Sequence, residues 1–361
     1  MLTPISFTNT KQQYQNLKPQ IDEAIQTVLA NGRLLNGTNT QRLEHVIKTY
    51  CNRKYAIAVN SGTTALQCIS AYAKFLRHSK FTTPELVSRE VVTTNLSYYV
   101  TKNVARDFYP TAHLDVDQNG LMDLNEILYN KVSCIFTVNL FGQVVNYEQI
   151  LFNANLFSPS KILVIEDAAQ SLGSSLNGVP SGKLGWASAL SFDPTKVLNC
   201  SSGGMVLTDD AELAEFAYSY RSTELVNHNT SHNNRKITEI DSAMLLVKFP
   251  HLERWQQRRT QIAKYYIERL KNVETLSTPE NTISNWSRFP IVLKNTNVRD
   301  SLEYFMNVQQ IESKKHYPYY IHTHSPGAER FVQRSLSLPI YAELTDTEVE
   351  RIVEVVNKVN Y

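Results

Sequence analysis

Short, almost uninterrupted apolar runs alternate with stretches whose apolar residues recur at helical spacing. Runs rich in Val and Ile are typical of strands that are buried on both faces of a mostly parallel sheet. Strands and helices that alternate in this way predict an α/β fold. The strand-like runs are, in chain order, "KYAIAVN" (54–60), "REVVTTN", "KVSCIFTVNLFG", "KILVIEDAAQ" and "GGMVLTDD".

The character of the chain changes from about residue 236. A long helical stretch, "ITEIDSAMLLVKFPHLERWQQRRTQIAKYYIERL", is interrupted at Pro250 and fits a connection between two domains. The last helix is predicted over "TDTEVERIVEVVNKV", with Thr345 as its N-cap and a glutamate three positions later. We therefore expect a large α/β domain over residues 1–245 and a smaller C-terminal α/β domain over residues 246–361.

Composition excludes several classes of protein. The 361 residues carry a net charge of +2 with 19% charged residues, and the basic residues form no concentrated patch of the kind that binds nucleic acid. The first residues lack the apolar core of a signal peptide, and no apolar run reaches membrane-spanning length. The four cysteines show no CxxC spacing, which favours reduced, buried thiols. We expect a cytoplasmic protein with no nucleic-acid or membrane partner.

Two charged residues follow predicted strands. In "VIEDAAQS" an apolar strand-like run ends at Glu166 and Asp167, and ligands of open α/β sheets collect at the carboxyl ends of strands. Lys196 follows the next strand-like run, "ASALSF". A pyridoxal phosphate enzyme needs a lysine for a Schiff base and an acid that keeps the pyridine nitrogen protonated, and these two residues would supply both. Asp167 alone could equally be the N-cap of the helix that begins at "AAQSL".

The cofactor's phosphate would need N–H groups and hydroxyls at the start of a helix. "NSGTTAL" places Ser61, Gly62, Thr63 and Thr64 between a predicted strand and a predicted helix, although such caps precede many ordinary helices. Ser191 could add a hydroxyl from the end of its strand. Tyr98, in "NLSYYVT", could lay its ring on the cofactor or belong to the core.

Together these segments resemble the DegT/DnrJ/EryC1/StrS family of sugar aminotransferases over nearly the whole chain. The combination of EDAAQ, SFxxxK and GGMVLT at the family's spacing is specific. The segments that carry the resemblance are "NGRLLNG", "LEHVIKTY", "YAIAVNSGTTAL", "LDVDQNG", "VNLFGQ", "VIEDAAQSLGS", "LSFDPTKVLNCSSGGMVLTDD", "NNRKITEIDSAML", "HYPYYIH" and "LSLPIYAELTDTEVERI".

The resemblance implies a fold-type-I pyridoxal phosphate enzyme, similar to aspartate aminotransferase, that works as a homodimer. Its catalytic residues would be Lys196, which forms the Schiff base, and Asp167, which pairs with the pyridine nitrogen. Gln170 would lie beside the ring oxygen, and Tyr98 would stack on the ring. The remaining residues that the resemblance implies are Gly62, Thr63 and Ser191 at the phosphate, Asn233 from the partner subunit, and His316 and Tyr317 in the substrate pocket.

The implied reaction moves an amino group from glutamate to a keto-sugar linked to a nucleoside diphosphate. The lysine, where dehydratase relatives have histidine, favours transamination, and "HYP" favours a 3-keto over a 4-keto acceptor. The alternatives are a keto-cyclitol aminotransferase and a regulatory protein that binds the cofactor without catalysis.

The chain departs from the family pattern in several places. Asn139 stands where histidine is usual, and Asp241 with Ser242 replaces Gln-Ala. The segments 284–318 and 322–337 look shorter than is typical, which affects the sugar-nucleotide pocket.

Two motifs suggest metal binding, but neither has the right surroundings. "DVDQNGLMDLNE" matches the calcium-loop pattern, with Asp115, Asp117, Asn119, Gly120 and Glu126 in place. No amphipathic helix can be drawn before it, so we expect a solvated loop after a strand. "HYPYYIHTH" gathers three histidines without a nearby cysteine or carboxylate. We expect no metal site.

Overall fold

The computed structural model describes residues 3–79, 90–106, 111–157, 162–222, 234–319 and 325–358. Its strands are β1 (Tyr55–Val59), β2 (Glu90–Thr94), β3 (Thr111–Leu114), β4 (Val132–Val138), β5 (Leu163–Asp167), β6 (Ser175–Leu176), β7 (Val179–Pro180), β8 (Ala187–Ser191), β9 (Gly204–Thr208), β10 (Glu274–Thr275), β11 (Thr282–Ile283), β12 (Phe289–Val292) and β13 (Ser335–Leu338). Its α-helices are α1 (Thr10–Asn31), α2 (Thr38–Tyr50), α3 (Gly62–Ser79), α4 (Tyr99–Arg106), α5 (Tyr147–Phe157), α6 (Ala211–Arg221), α7 (Glu239–Lys248), α8 (Leu252–Arg269), α9 (Thr296–Val308), α10 (Pro326–Arg334) and α11 (Asp346–Lys358).

The large sheet has seven strands in the order β1-β9-β8-β5-β4-β2-β3. Strand β9 runs antiparallel to both β1 and β8, whereas β8, β5, β4, β2 and β3 are parallel to one another. The order is not sequential, so the chain repeatedly crosses over the sheet with helices between strands. The prediction of an α/β fold with a mostly parallel sheet is confirmed.

Both faces of this sheet are buried, as the apolar runs predicted. Along β1, Ile57 and Val59 pack into one hydrophobic cluster together with α3, and Ala56 and Ala58 pack into another with α2. Successive residues of a strand point to opposite faces, so a strand that is covered on both sides needs apolar residues at every position. That requirement explains why the runs show no polar alternation.

The C-terminal part of the chain, from α8 onward, surrounds a small sheet of three antiparallel strands in the order β10-β12-β13. Helices α8, α9 and α11 bury their apolar faces against it, and Tyr266, Phe289 and Ile352 are among the fully buried residues. Helices α7 and α8 are joined by a 3-10 turn, Phe249–His251, that contains the predicted interruption at Pro250. The domain boundary at residues 245 and 246 stays a prediction and falls inside α7.

The end of the chain shows the predicted capping box. The N–H of Glu348 donates to the hydroxyl of Thr345 at 3.2 Å, and the N–H of Thr345 donates to the Glu348 carboxylate at 2.9 Å. These bonds satisfy donors that a helix start leaves without intrahelical partners.

The calcium-like loop uses its carboxylates to hold the protein's own backbone. Asp115 accepts from the N–H groups of Gly327 and Ala328 at 2.8 and 2.9 Å, and Asp117 accepts from Asn119 and Leu121. The loop follows β3, as expected, but Asn119 is buried rather than solvated. Its side-chain oxygen accepts hydrogen bonds from the N–H and the hydroxyl of Ser277, which replace bonds to water. In the described part of the chain, no cluster of His, Cys, Asp and Glu is arranged to hold a metal ion.

None of the helices within the described ranges combines the length and the apolar character that crossing a bilayer requires. All four cysteines are free and buried.

Candidate active site

The carboxyl ends of β5 and β8 open into a cavity of about 430 Å³. Asp167 is the last residue of β5 and Ser191 the last of β8, and Lys196 follows in the turn after β8. Because these two strands are parallel neighbours, residues at their ends meet at one edge of the sheet. Predicted site residues that line the cavity are Gly62, Thr63, Tyr98, Asp167, Gln170, Ser191, Lys196, His316 and Tyr317.

Asp167 is a buried carboxylate with two hydrogen-bond donors. The hydroxyl of Thr101 donates to its Oδ2 at 2.6 Å, and the N–H of Ala169 donates to its Oδ1 at 3.0 Å. The second bond caps a turn over residues 169–173 and not a helix, so the alternative that Asp167 is the N-cap of a helix at "AAQSL" is wrong. Burial nevertheless raises the pKa of Asp167, and these donors, with the charge of Lys196, only partly oppose that rise. The site would therefore stabilise the carboxylate better if a further cationic donor were bound there.

Lys196 is held by its own turn. Its N–H donates to the carbonyl of Asp193 at 2.9 Å, and its carbonyl accepts from the side chain of Asn199 at 3.0 Å. Burial, aided by the positive charge of Arg288, lowers the pKa of Lys196 to about 8, although Asp167 and Asp193 oppose the shift. A substantial fraction of this amine is therefore neutral near pH 8, and only a neutral amine can act as a nucleophile.

The residues predicted to bind the phosphate lie in a tight junction between the start of α3 and the strands β8 and β9. Helix α3 begins at Gly62, where the first N–H groups have no intrahelical acceptor. A Cβ added to Gly62 would lie 2.7 Å from the Cβ of Ser191, so only glycine lets the helix start approach the serine. Gly204 of β9 lies closer still, since an added Cβ would lie 2.3 Å from the backbone of Ser61.

A hydrogen bond links a predicted cofactor residue with a predicted substrate residue. The side-chain Nε2 of Gln170 donates to the hydroxyl of Tyr317 at 2.7 Å, and the side-chain Oε1 of Gln170 accepts from the N–H of Phe141 at 3.0 Å. The ring of Tyr98 lies 6.1 Å from that of Tyr317. Tyr98 is 46% exposed and precedes helix α4, so the alternative that it belongs to the core is wrong.

His316 also lines the cavity, and its ring lies 5.6 Å from that of Tyr317. Its Nδ1 is 2.9 Å from the hydroxyl of Ser337, and its ring is 5.5 Å from that of Phe7. Burial, together with the charges of Arg288, Lys314 and Lys196, lowers its pKa to about 3. The imidazole is therefore neutral at physiological pH and can accept or donate a hydrogen bond without carrying charge.

Sequence reasoning missed several residues of this cavity. Thr101 supports Asp167, whereas Phe7, Arg288 and Lys314 form a wall near Lys196. Phe7 and Lys314 are far from Lys196 in sequence, and no motif marks any of the four. Arg288 directly precedes the strand-like "FPIVL", which was the only local signal that its side chain would be oriented by a sheet.

Two departures from the family pattern have structural partners. Asn139 donates to Oε1 of the buried Glu166 at 2.9 Å and accepts from the N–H of Val145. Asp241 accepts from the N–H of Ser201 at 3.1 Å, which ties α7 to the turn after Lys196. The predicted partner-subunit residue Asn233 lies outside the described residues, as do His322 and His324.

The residues present fit pyridoxal phosphate. The cofactor has a phosphate, an aldehyde and a basic ring nitrogen, and the cavity offers a helix N-terminus with two flanking hydroxyls, an amine of lowered pKa, and a buried carboxylate that lacks a direct cationic partner among the described residues. Gly62, Thr63 and Ser191 would hold the phosphate, Lys196 the aldehyde carbon, and Asp167 the protonated nitrogen. The bound cofactor would supply an electron-withdrawing ring that can carry an amino group.

Comparison with known proteins supports this interpretation. The model of the DegT/DnrJ/EryC1/StrS aminotransferase family matches residues 15–357. The chain is 29% identical to a "Pleiotropic regulatory protein" of Geobacillus stearothermophilus, with 97% of each chain covered. It is 28% identical to the dTDP-3-amino-3,6-dideoxy-alpha-D-galactopyranose transaminase of Aneurinibacillus thermoaerophilus, over 99% of this chain and 100% of the relative.

A solved structure of a DegT DnrJ EryC1 StrS aminotransferase from Brucella abortus superposes with a TM-score of 0.85 at 26% identity, and the match covers 97% of this chain and 98% of the other. The fold-type-I prediction is thereby confirmed. Aminotransferases of this kind carry the amino group on pyridoxal phosphate, so the predicted enzyme class and cofactor are confirmed as well. The chain belongs to the DegT/DnrJ/EryC1/StrS aminotransferase family.

Proposed function

We propose that the protein transfers an amino group from glutamate to a keto-sugar linked to a nucleoside diphosphate, with a 3-keto group as the acceptor. The observation that carries the proposal is the convergence of Lys196, Asp167 and the Gly62–Ser191 junction on one cavity. The A. thermoaerophilus relative is named for a 3-amino sugar, which supports both the substrate class and the C3 position. The product would serve amino-sugar biosynthesis.

Each proposed role follows from a local property. Asp167 holds the proton on the ring nitrogen, because a buried carboxylate is stabilised by a cationic donor. The Nζ of Lys196 would hold the aldehyde carbon of the cofactor, and the same amine would move a proton to and from the carbon that carries the amino group. Its pKa of about 8 suits this work, because a general base is most effective when its pKa lies near the working pH.

Gln170 and Tyr317 act as a pair. The bond from Gln170 Nε2 to the Tyr317 hydroxyl joins a residue placed beside the cofactor ring to one placed beside the substrate. A substrate that displaces or bonds to Tyr317 would therefore also reorient Gln170. His316, neutral and adjacent, offers a hydrogen-bonding group to the sugar.

We further propose that the protein is a homodimer in which Asn233 of one subunit completes the phosphate site of the other. "SHNNRK" is polar and lies between α6 and α7, so a loop from this position could reach across a two-fold axis.

A spectroscopic titration tests the proposed function. Holoenzyme freed of excess cofactor is mixed with glutamate, and the absorption band of the aldehyde form should convert to that of the amine form. The amine form is then mixed with dTDP-, UDP- or GDP-linked 3-keto and 4-keto sugars, and one of them should restore the first band.

Lys196→Ala is the control for the titration, since it should fold but show neither the covalent band nor turnover. A keto-cyclitol that restores the band when no nucleotide sugar does would replace the proposed substrate class. The name of the G. stearothermophilus relative supports a regulatory alternative, and a band that glutamate leaves unchanged would favour it.

A further inference from the structure

Lys248, the last residue of α7, is a buried lysine outside the cavity. Its residue is only 4% exposed, and among the described residues no carboxylate forms an ion pair with it. Its Nζ donates instead to two oxygens of one residue, the main-chain carbonyl of Asn199 at 2.9 Å and the side-chain Oδ1 of Asn199 at 2.8 Å. Burying an amine is costly unless its donors are satisfied, so these two bonds hold Lys248 and Asn199 together.

Asn199 connects this lysine with the main chain of Lys196. The Nδ2 of Asn199 donates to the Lys196 carbonyl at 3.0 Å. A lysine ammonium can only donate and a main-chain carbonyl can only accept, so both neighbours require the same orientation of the Asn199 amide. Because Lys248 fixes Oδ1, it also directs Nδ2 at Lys196.

The turn that carries Lys196 is closed by main-chain bonds at its two ends. The N–H of Lys196 donates to the carbonyl of Asp193 at 2.9 Å, and the N–H of Cys200 donates to the carbonyl of Phe192 at 2.8 Å. The bond from Asn199 to the Lys196 carbonyl lies inside this closed turn. The end of α7 therefore supports the turn at the carbonyl of the lysine itself.

We propose that Lys248 is a positioning residue for Lys196, which it holds in place through Asn199. This inference rests on the role proposed for Lys196. The amine of Lys196 has to reach both the aldehyde carbon of the cofactor and the carbon that carries the amino group, and both movements start from one Cα. A displacement of about 1 Å at reacting atoms can cost about 100-fold in rate, so the main chain at this residue has to be fixed.

Lys248 acts through position and not through its charge. Besides burial, the charges that shift the pKa of Lys196 are those of Arg288, Asp167 and Asp193. The charge of Lys248 is not among them. Asn199→Ala keeps that charge but breaks the connection, so it separates the two effects.

The rate of the glutamate half-reaction, measured by stopped-flow absorbance, gives the first test. Lys248→Met keeps the length of the side chain but removes its donors, so the limiting rate should fall about 10-fold. The glutamate concentration that half-saturates the rate should stay within about two-fold, because Lys248 does not line the cavity. Lys248→Gln keeps an N–H donor and should give an intermediate rate. Lys183→Met removes a lysine that pairs with Asp209 outside the cavity and should leave the rate unchanged.

A double-mutant cycle tests whether Lys248 acts through Asn199. Asn199→Ala alone should also lower the limiting rate about 10-fold. The double variant with Lys248→Met should then lose about 10-fold in all, because each change breaks the same connection. A loss of about 100-fold in the double variant would show independent effects and would overturn the proposal.

Hydrogen exchange of the holoenzyme, measured by mass spectrometry, tests the positioning without turnover. Lys248→Met should speed exchange of the N–H groups of Lys196 and Cys200 about 5- to 10-fold, since the net loss of one hydrogen bond corresponds to such a factor. Exchange in the buried strand β4 should stay unchanged. Equally faster exchange in β4 would indicate general loosening of the fold and would contradict a specific role.

The proposal requires both effects of Lys248→Met, the lower limiting rate and the faster exchange at Lys196, and either one without the other would refute it. A covalent cofactor band that persists in Lys196→Ala would contradict the role of Lys196 and the proposal with it. A protein that reacts with glutamate but accepts no keto-sugar would contradict only the proposed acceptor, since both measurements still apply. If Lys248→Met fails to fold, Lys248→Gln and Asn199→Ala give the same cycle and the same exchange comparison.

Discussion

The hydroxyl of Thr101 donates a 2.6 Å hydrogen bond to Oδ2 of Asp167. Thr101 lies on α4 and Asp167 at the end of β5, so a helix that follows β2 orients the acid at the end of another strand. This bond aims the carboxylate into the cavity, while its burial raises the pKa of Asp167.

We predict that Asp167→Asn slows the glutamate half-reaction about 100-fold, because an amide cannot hold the ring nitrogen in its protonated state. Thr101→Val should slow it far less, by about 10-fold, since the carboxylate remains but loses one orienting bond. Stopped-flow absorbance measures both rates. A near-normal rate for Asp167→Asn would show that Asp167 only caps the turn at Ala169 and does not act on the ring nitrogen.

The lowered pKa of Lys196 predicts a pH dependence of stability in the cofactor-free protein. The pKa falls from an ordinary 10.5 to about 8 on folding, so between these values the unfolded chain binds more protons than the folded one. The free energy of unfolding should therefore rise with pH across this window because of Lys196. Below about pH 8 the Lys196 amine is charged in both states, so its burial lowers the free energy of unfolding by the full amount.

Lys196→Met isolates that contribution from other titrating groups. The variant should be more stable than the wild type at about pH 7, and the difference should shrink by about pH 10. Urea denaturation of both cofactor-free proteins measures it. A difference that stays constant with pH would show that the Lys196 amine has an ordinary pKa.

The packing of Gly62 against Ser191 predicts a steric effect on cofactor affinity. Gly62→Ala places a Cβ 2.7 Å from that of Ser191, so α3 must shift away from the end of β8. We expect pyridoxal phosphate to bind about 10-fold or more weakly, because the first helix N–H groups move with it. Fluorescence titration with the cofactor measures the affinity.

Ser191→Ala is the matched comparison for Gly62→Ala. It should weaken cofactor binding through loss of one hydroxyl but leave the helix start in place, so its effect should be smaller. If Gly62→Ala leaves the affinity for pyridoxal phosphate unchanged, the junction between Gly62 and Ser191 does not bind the cofactor's phosphate.

The shared-site proposal predicts complementation between two inactive proteins. Lys196→Ala should be inactive, and Asn233→Asp should be badly impaired because it would place a carboxylate against the cofactor phosphate. Refolded together at random, they should form about half heterodimers, each with one intact site and one doubly defective site. Activity should then return to about a quarter of the wild-type value. Heterodimers that form but stay inactive would show that Asn233 acts within its own chain.

The mostly parallel sheet and the positions of three site residues at its strand ends could be predicted from local sequence patterns. Runs such as "KILVIED" are apolar at every position because both faces of the sheet are covered, and this local signal needs no tertiary information. Asp167, Ser191 and Lys196 could be placed from sequence because they lie at the ends of strands or in the turn that follows one, and neighbouring strand ends meet at one edge of a parallel sheet. The capping box at Thr345 was equally local, since both partners lie within one turn.

The rest of the cavity lining depends on contacts between residues that are distant in sequence. Thr101 reaches Asp167 from a different helix, and the Gln170–Tyr317 bond joins residues 147 positions apart. Arg288, Lys314 and Phe7 converge from three separate segments to make a cationic wall. Periodicity reports which face of an element is buried, but it carries no information about which distant side chains meet there. The charges and pKa values of the site depend on those meetings, because burial and neighbouring charges act through space rather than along the chain.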